Sequence, residues 1–217
     1  MQIKICCIQS LEEARLAMNH GAHALGFVSE MPSGPGTIAD SEIGGIIEKI
    51  PSAYATVLLS SRTDPGAIVE HQRETRANTL QLVAPVTPDD FFRVKELLPG
   101  VALVKVVHVK DAESVLLARA YSDAANAILL DTGDPDAEVA RLGGTGETHD
   151  WTISRQIVET CPVPIILAGG LSSVNVEEAI RSVRPFGVDV CSSLRPEGAL
   201  QAGLLRDFVA CVQRADA

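Results

Sequence analysis

Two side chains far apart in the sequence have the chemistry of a proton-transfer pair: the thiol of Cys6 and the carboxyl of Asp131. A thiolate can take a proton from carbon when a nearby cation lowers its pKa. Lys4 lies two residues before Cys6 in an apolar run, so in a strand both would point to one face. Cys6 equally fits a small buried hydrophobe, the usual environment of a free cysteine. Asp131 ends the run Leu129-Leu130-Asp131. There it fits a helix cap, a loop anchor, or a general acid kept protonatable by partial burial.

Backbone-rich turns accompany the pair. Gly143-Gly144-Thr145-Gly146 runs to Asp150-Trp151, and Leu167-Ala168-Gly169-Gly170-Leu171 precedes Asn175-Val176. Such turns bring N–H groups close to a ligand, and one that opens a helix after a buried strand suits a phosphate dianion. The second turn carries the stronger signal. Ser192 and Ser193, after the last apolar run, add N–H and hydroxyl donors. Trp151 reads as packing under the glycine loop, and Arg62 and Arg195 are cations near strand ends. His20, His23, His71, His108 and His149 show no metal spacing, and there is no H-E-x-x-H; His108 and His149 could reach the same region as polar groups.

These groups need elements to position them. Short β-branched runs near 2–6, 24–28, 54–60, 79–83, 102–108, 127–131, 164–168 and 187–191 alternate with helical stretches. Helix starts are marked by Ser10 with Glu13, Asp64-Pro65, Thr87-Pro88, Asp111, Asp150 and Ser173. Eight strands buried on both faces predict a single (β/α)8 TIM barrel domain over 1–217, with catalytic groups at the C-terminal ends of the strands. A doubly wound sheet is the competing architecture, but Cys6-Cys7-Ile8-Gln9 lacks its glycine fingerprint. On strand parity, Lys4 and Cys6 point inward while Ile3, Ile5 and Cys7 point to the helices.

Bulk properties narrow the class. At 217 residues and 46% hydrophobic with 4% aromatic, the core must be aliphatic. A net charge of −10 argues against nucleic acid. No apolar run reaches membrane-spanning length, so no membrane partner is expected. Five cysteines without C-x-x-C spacing fit a reducing cytoplasm better than a disulfide framework.

Taken together, these residues resemble the phosphoribosylanthranilate isomerase family, a group of (β/α)8 barrels. The resemblance is carried by Lys4-Ile5-Cys6, Gly21-Ala22-His23-Ala24-Leu25-Gly26-Phe27-Val28, Gln81-Leu82 and Leu130-Asp131. It continues through Gly143-Gly144-Thr145-Gly146, Asp150-Trp151, Leu167-Ala168-Gly169-Gly170-Leu171, Asn175-Val176 and Gly187-Val188-Asp189-Val190. It implies an Amadori aldose–ketose rearrangement in tryptophan biosynthesis. Asp131 would be general acid and Cys6 general base, with no cofactor and no metal. The phosphorylated sugar would be bound by Gly144, Gly169, Gly170, Ser192 and Ser193, with Arg195 a further candidate. The chain departs from the family where Gly34-Pro35-Gly36 replaces Ser-Pro-Arg, whose arginine pairs the anthranilate carboxylate. It departs again at Cys7, Gln9, Val83-Ala84 and Ser193-Leu194-Arg195. Two other readings therefore stand beside it: an isomerase of another phosphorylated aminosugar, and a non-catalytic binder of a phosphate ligand. Both monomers and homodimers are compatible with this fold.

Overall fold

The computed structural model describes residues 1–32, 34–133 and 148–216. Eight parallel strands form a closed barrel in sequence order. They are β1 (Gln2–Ile5), β2 (Ala24–Val28), β3 (Ala55–Ser60), β4 (Thr79–Leu82), β5 (Ala102–His108), β6 (Ala127–Asp131), β7 (Ile165–Leu167) and β8 (Gly187–Val190). The helices are α1 (Leu11–Asn19), α2 (Asp40–Ile47), α3 (Pro65–Thr75), α4 (Pro88–Leu97), α5 (Glu113–Tyr121), α6 (Trp151–Thr160), α7 (Val176–Val183) and α8 (Ala202–Asp216). This is the (β/α)8 barrel expected from the sequence. No helix among the described residues is long and apolar enough to cross a membrane.

The helix starts follow local chemistry. Ser10, Asp64, Thr87 and Asp150 accept backbone N–H bonds from the first turns of α1, α3, α4 and α6. Glu13 bonds the Gln9 N–H, one residue outside the expected capping box. Ser173 is not the cap of α7; Asn175 occupies that place, and its Oδ1 accepts the Ser172 N–H. The expected cap Asp111 lies one residue before the N-cap of α5, Ala112, and accepts the Glu113 N–H.

Strand parity divides the apolar residues into two cores. Ile3, Ile5, Leu25, Phe27, Leu58, Leu80, Leu103, Ile128, Leu130, Leu167 and Val188 face outward into the shell between barrel and helices. Val28, Val57, Leu59, Val104, Val106, Leu129 and Ala168 fill the interior. The same parity turns Lys4, Cys6, Gln81, Asp131 and Asp189 inward, so the polar side chains collect among small and branched residues. Lys105 has the opposite parity: it donates to the Ala84 carbonyl and lies over the Tyr121 ring in the shell.

Cys7 corrects the expectation of an outward side chain and of unpaired cysteines. Strand pairing has ended, its φ of 62° lies in the left-handed region, and the rotation brings Cys7 into the interior cluster. It forms a disulfide with Cys191 across the mouth, at a Cα separation of 6.1 Å. This links the end of β1 to the end of β8, 184 residues later. Gly36 packs directly on this link, since a Cβ there would stand 2.6 Å from the Cys7 Cβ. A cross-link spanning nearly the whole chain restricts the unfolded state strongly, by up to about 5 kcal/mol in the chain-entropy description. Peptide mapping without reductant should recover the Cys7–Cys191 cross-link, and reduction should lower stability by about 2–4 kcal/mol in denaturant titration. Five free thiols in the native protein would contradict this pairing.

Candidate active site

Cys6 lies just past β1, where its N–H donates to the Val190 carbonyl of β8 at 2.9 Å. Parity and this bond aim its sulfur into the barrel. Lys4 is the residue below on the same face, and β1–β8 register places Asp189 opposite it. Lys4 Nζ donates to Asp189 Oδ2 at 2.7 Å, with both side chains buried. Asp189 Oδ1 is also buried and has no hydrogen-bond partner among the described residues. Gly26 on β2 makes the arrangement sterically possible: a Cβ there would lie 2.8 Å from Cys6 Sγ and 3.1 Å from Lys4 Nζ. The thiol and the ammonium therefore occupy the space of a missing side chain.

Charges in this cluster are strongly coupled. Burial disfavours the Lys4 ammonium, but Asp189 and Cys6 outweigh it and hold the lysine above its ordinary value. Burial raises the Asp189 carboxyl while Lys4 opposes the shift. For Cys6, burial dominates and pushes the thiol up to about 11; Lys4 pulls down, but Asp189 pushes up. Lys4 does not acidify the thiol, because burial outweighs its pull and Asp189 opposes it further.

Asp131 ends β6 with its side chain toward the mouth, partly exposed. Removal of water raises it to about 7, helped by Asp189 and opposed by Lys4 and by the Thr132 N–H. That N–H donates to Asp131 Oδ1 at 2.7 Å. Cys6 and Asp131 are thus both acted on by the Lys4–Asp189 pair, a thiol and a protonatable carboxyl on inward-facing positions.

The turn after β7 lies beside Asp131. Gly169 and Gly170 have φ of 81° and 60°, left-handed values that glycine adopts freely. Asn175 Nδ2 donates to the Gly170 carbonyl at 3.0 Å and braces the turn from the start of α7. Ser193 Oγ donates to the Leu171 carbonyl at 2.6 Å, tying the 3-10 turn Ser192–Leu194 to it. The structure thus brings Gly169, Gly170, Ser192 and Ser193 together around one corner of the mouth.

Other sequence candidates have different positions. Arg195 is buried and donates two 2.8 Å bonds to Glu13 and a third to the Gly198 carbonyl. This pins the segment after β8 onto α1. Arg62 reaches the Ala67 carbonyl and Asp40, which also bonds Ser29 and His71. Trp151 packs against the outer core, and His108 is buried at the end of β5. Gly144 and the rest of its glycine run lie outside the described residues. The sequence reading gave no role to Asp189 or Gly26. The alternation of Gly187, Asp189 and Cys191 along β8 was the available signal for the first. For Gly26 there was none, since its necessity comes from Cys6 and Lys4 across the strand pair.

The chain is a closed (β/α)8 barrel with a thiol, a protonatable carboxyl and a braced glycine turn at the C-terminal ends of its strands. The family profile of N-(5′-phosphoribosyl)anthranilate (PRA) isomerase matches residues 3–211. The chain is 37% identical over 209 residues to N-(5′-phosphoribosyl)anthranilate isomerase of Methanocella arvoryzae, covering 96% of each. The crystal structure of phosphoribosyl anthranilate isomerase from Thermotoga maritima superposes with a TM-score of 0.84 at 27% identity, over 99% of both chains. Another such structure, in complex with reduced 1-(o-carboxyphenylamino)-1-deoxyribulose 5-phosphate, has a TM-score of 0.81 at 25% identity and 99% coverage of both. The chain belongs to the N-(5′-phosphoribosyl)anthranilate isomerase family.

The crowding at Gly26 has a direct consequence. Gly26→Ala should displace the Cys6 sulfur or the Lys4 ammonium and lower kcat/KM by about 10- to 100-fold. Unchanged kinetics in a folded variant would show that the packing of thiol and ammonium against β2 has no bearing on turnover.

Proposed function

We propose that this chain isomerises N-(5′-phosphoribosyl)anthranilate to the corresponding 1-deoxyribulose 5-phosphate, an Amadori rearrangement of tryptophan biosynthesis. The observation that carries the proposal is the shared cluster of Cys6 and Asp131 beside the Gly169-Gly170 turn, in a chain of this family. Protonated Asp131 donates to the furanose ring oxygen, the C1′–O bond breaks, and the nitrogen lone pair forms the C1′=N iminium. The Cys6 thiolate removes the proton from C2′, and the C–H electrons form the C1′=C2′ bond of an enolamine. Transfer of the C2′ hydroxyl proton and protonation at C1′ give the ketone, so no atom is gained or lost. The phosphate is held by N–H groups of Gly169, Gly170 and Ser192, with Ser193 tying their two turns together. Binding energy at the phosphate then positions the reacting carbons remotely. Arg195 is left out of this site, since Glu13 and Gly198 engage its guanidinium.

The protonation states make the chemistry conditional on the substrate. With the thiol near 11 and the carboxyl near 7, thiolate with protonated Asp131 is a minor tautomer of the singly protonated pair. The iminium formed by ring opening places a positive charge beside the sulfur and favours its ionisation when the base is needed. A single proton on the pair is compatible with turnover, so kcat/KM should rise through pH about 7 and fall above about 11.

Freshly prepared N-(5′-phosphoribosyl)anthranilate tests the assignment through loss of its fluorescence on adding the protein. Turnover is expected, with Cys6→Ser and Asp131→Asn each lowering kcat by about 10²- to 10⁴-fold at unchanged folding. Asp131→Asn should also abolish the rising limb near pH 7. No turnover by folded wild-type protein would overturn the substrate, and near-normal rates in either variant would overturn the acid–base roles.

A further inference from the structure

We infer that His149 is a positioning residue for this reaction, a strut that holds Thr132, and through it the acid Asp131, against the underside of the phosphate turn at Gly169. The inference rests on the reading of Asp131 and Gly169-Gly170 given above. His149 precedes α6, and both ring nitrogens are engaged. Nδ1 lies 3.2 Å from Thr132 Oγ1, and Nε2 lies 2.7 Å from Ser154 Oγ on the buried face of α6. Either neutral tautomer satisfies both hydroxyls, because each can donate or accept. Thr132 is the residue whose N–H bonds Asp131 Oδ1.

Gly169 completes the contact from the other side. A Cβ there would lie 3.0 Å from His149 Nδ1 and collide with Thr132 Oγ1. The α-carbon of the phosphate turn is therefore seated on the Thr132–His149 pair, with no side chain intervening. Asn175 and Ser193 brace the turn elsewhere through the Gly170 and Leu171 carbonyls. His149 adds the connection between the turn and the acid, anchored on α6 through Ser154.

The imidazole acts as a neutral spacer. Burial pushes it down to about 4 against the pull of neighbouring Asp150, so it stays uncharged while Asp131 titrates. Its other charged neighbour on α6, Arg155, is paired with Glu159. Among the described residues, the charges acting on Asp131 are Asp189 from β8 and Lys4 from β1, and His108 is its register partner on β5; the adjoining segment of β7 presents Ala168. The Thr132 N–H also lowers the Asp131 pKa, so loosening Thr132 should raise it.

Asparagine can place an amide near the position of Nδ1, whereas glutamine can reach that of Nε2, so the two contacts can be separated. His149→Ala and His149→Gln should raise KM for N-(5′-phosphoribosyl)anthranilate about tenfold, with kcat changed less than about threefold. Both should raise the Kd for inorganic phosphate, read by calorimetry, about tenfold and move the rising limb of kcat/KM up by about half a pH unit. His149→Asn, which preserves the Thr132 contact, should stay within about threefold of the parent in all three. Equal behaviour of the Asn and Gln variants, or an effect of His149→Ala confined to the thermal midpoint, would reduce His149 to packing and overturn the inference. Should the parent fail to turn over the substrate, the functional reading falls, while the phosphate Kd series still decides the strut.

Discussion

The buried ion pair between Lys4 and Asp189 is the constraint around which the site is organised. Two charges removed from water must meet at close range, and their 2.7 Å contact is made by residues directly opposite one another on β1 and β8. A shift of one residue between these strands would turn one charge into the apolar shell. The pair therefore specifies the register at the seam where first and last strands close the barrel. It also sets the chemistry. Burial raises the Cys6 thiol to about 11, Lys4 pulls it down, and Asp189, by compensating Lys4, adds to the rise.

The rest of the mouth is built from the crowding that follows. Gly26 leaves room for the thiol and ammonium, Gly36 accommodates the Cys7–Cys191 link, and Gly169 rests on Thr132 and His149. In each case a glycine is required by a side chain from another strand or loop. The disulfide ties the segment bearing Cys6 to the segment bearing Ser192, so these two parts of the mouth are joined covalently as well as by the sheet.

Much of this was legible in the sequence because it rests on period and local chemistry. Alternation placed Lys4 with Cys6, β-branched runs marked all eight strands to within a residue or so at each end, and Ser10, Asp64, Thr87 and Asp150 marked helix starts. What escaped depends on pairs distant in sequence. The role of Asp189 appears only when β8 meets β1, and the commitment of Arg195 to Glu13 only when the end of β8 meets α1. Cys7 escaped for a local reason: strand parity ceases to apply once φ becomes positive.

The central claim is that Cys6 and Asp131 work on one substrate anchored at the Gly169-Gly170 turn. A crystal structure of this chain with the reduced 1-(o-carboxyphenylamino)-1-deoxyribulose 5-phosphate used with its relative tests it most directly. The expected complex has the phosphate on the N–H groups of Gly170 and Ser192, C2′ within about 3.5 Å of Cys6 Sγ, and the former ring oxygen within hydrogen-bond reach of Asp131. A phosphate bound away from that turn, or a C2′ remote from the sulfur, would contradict the account.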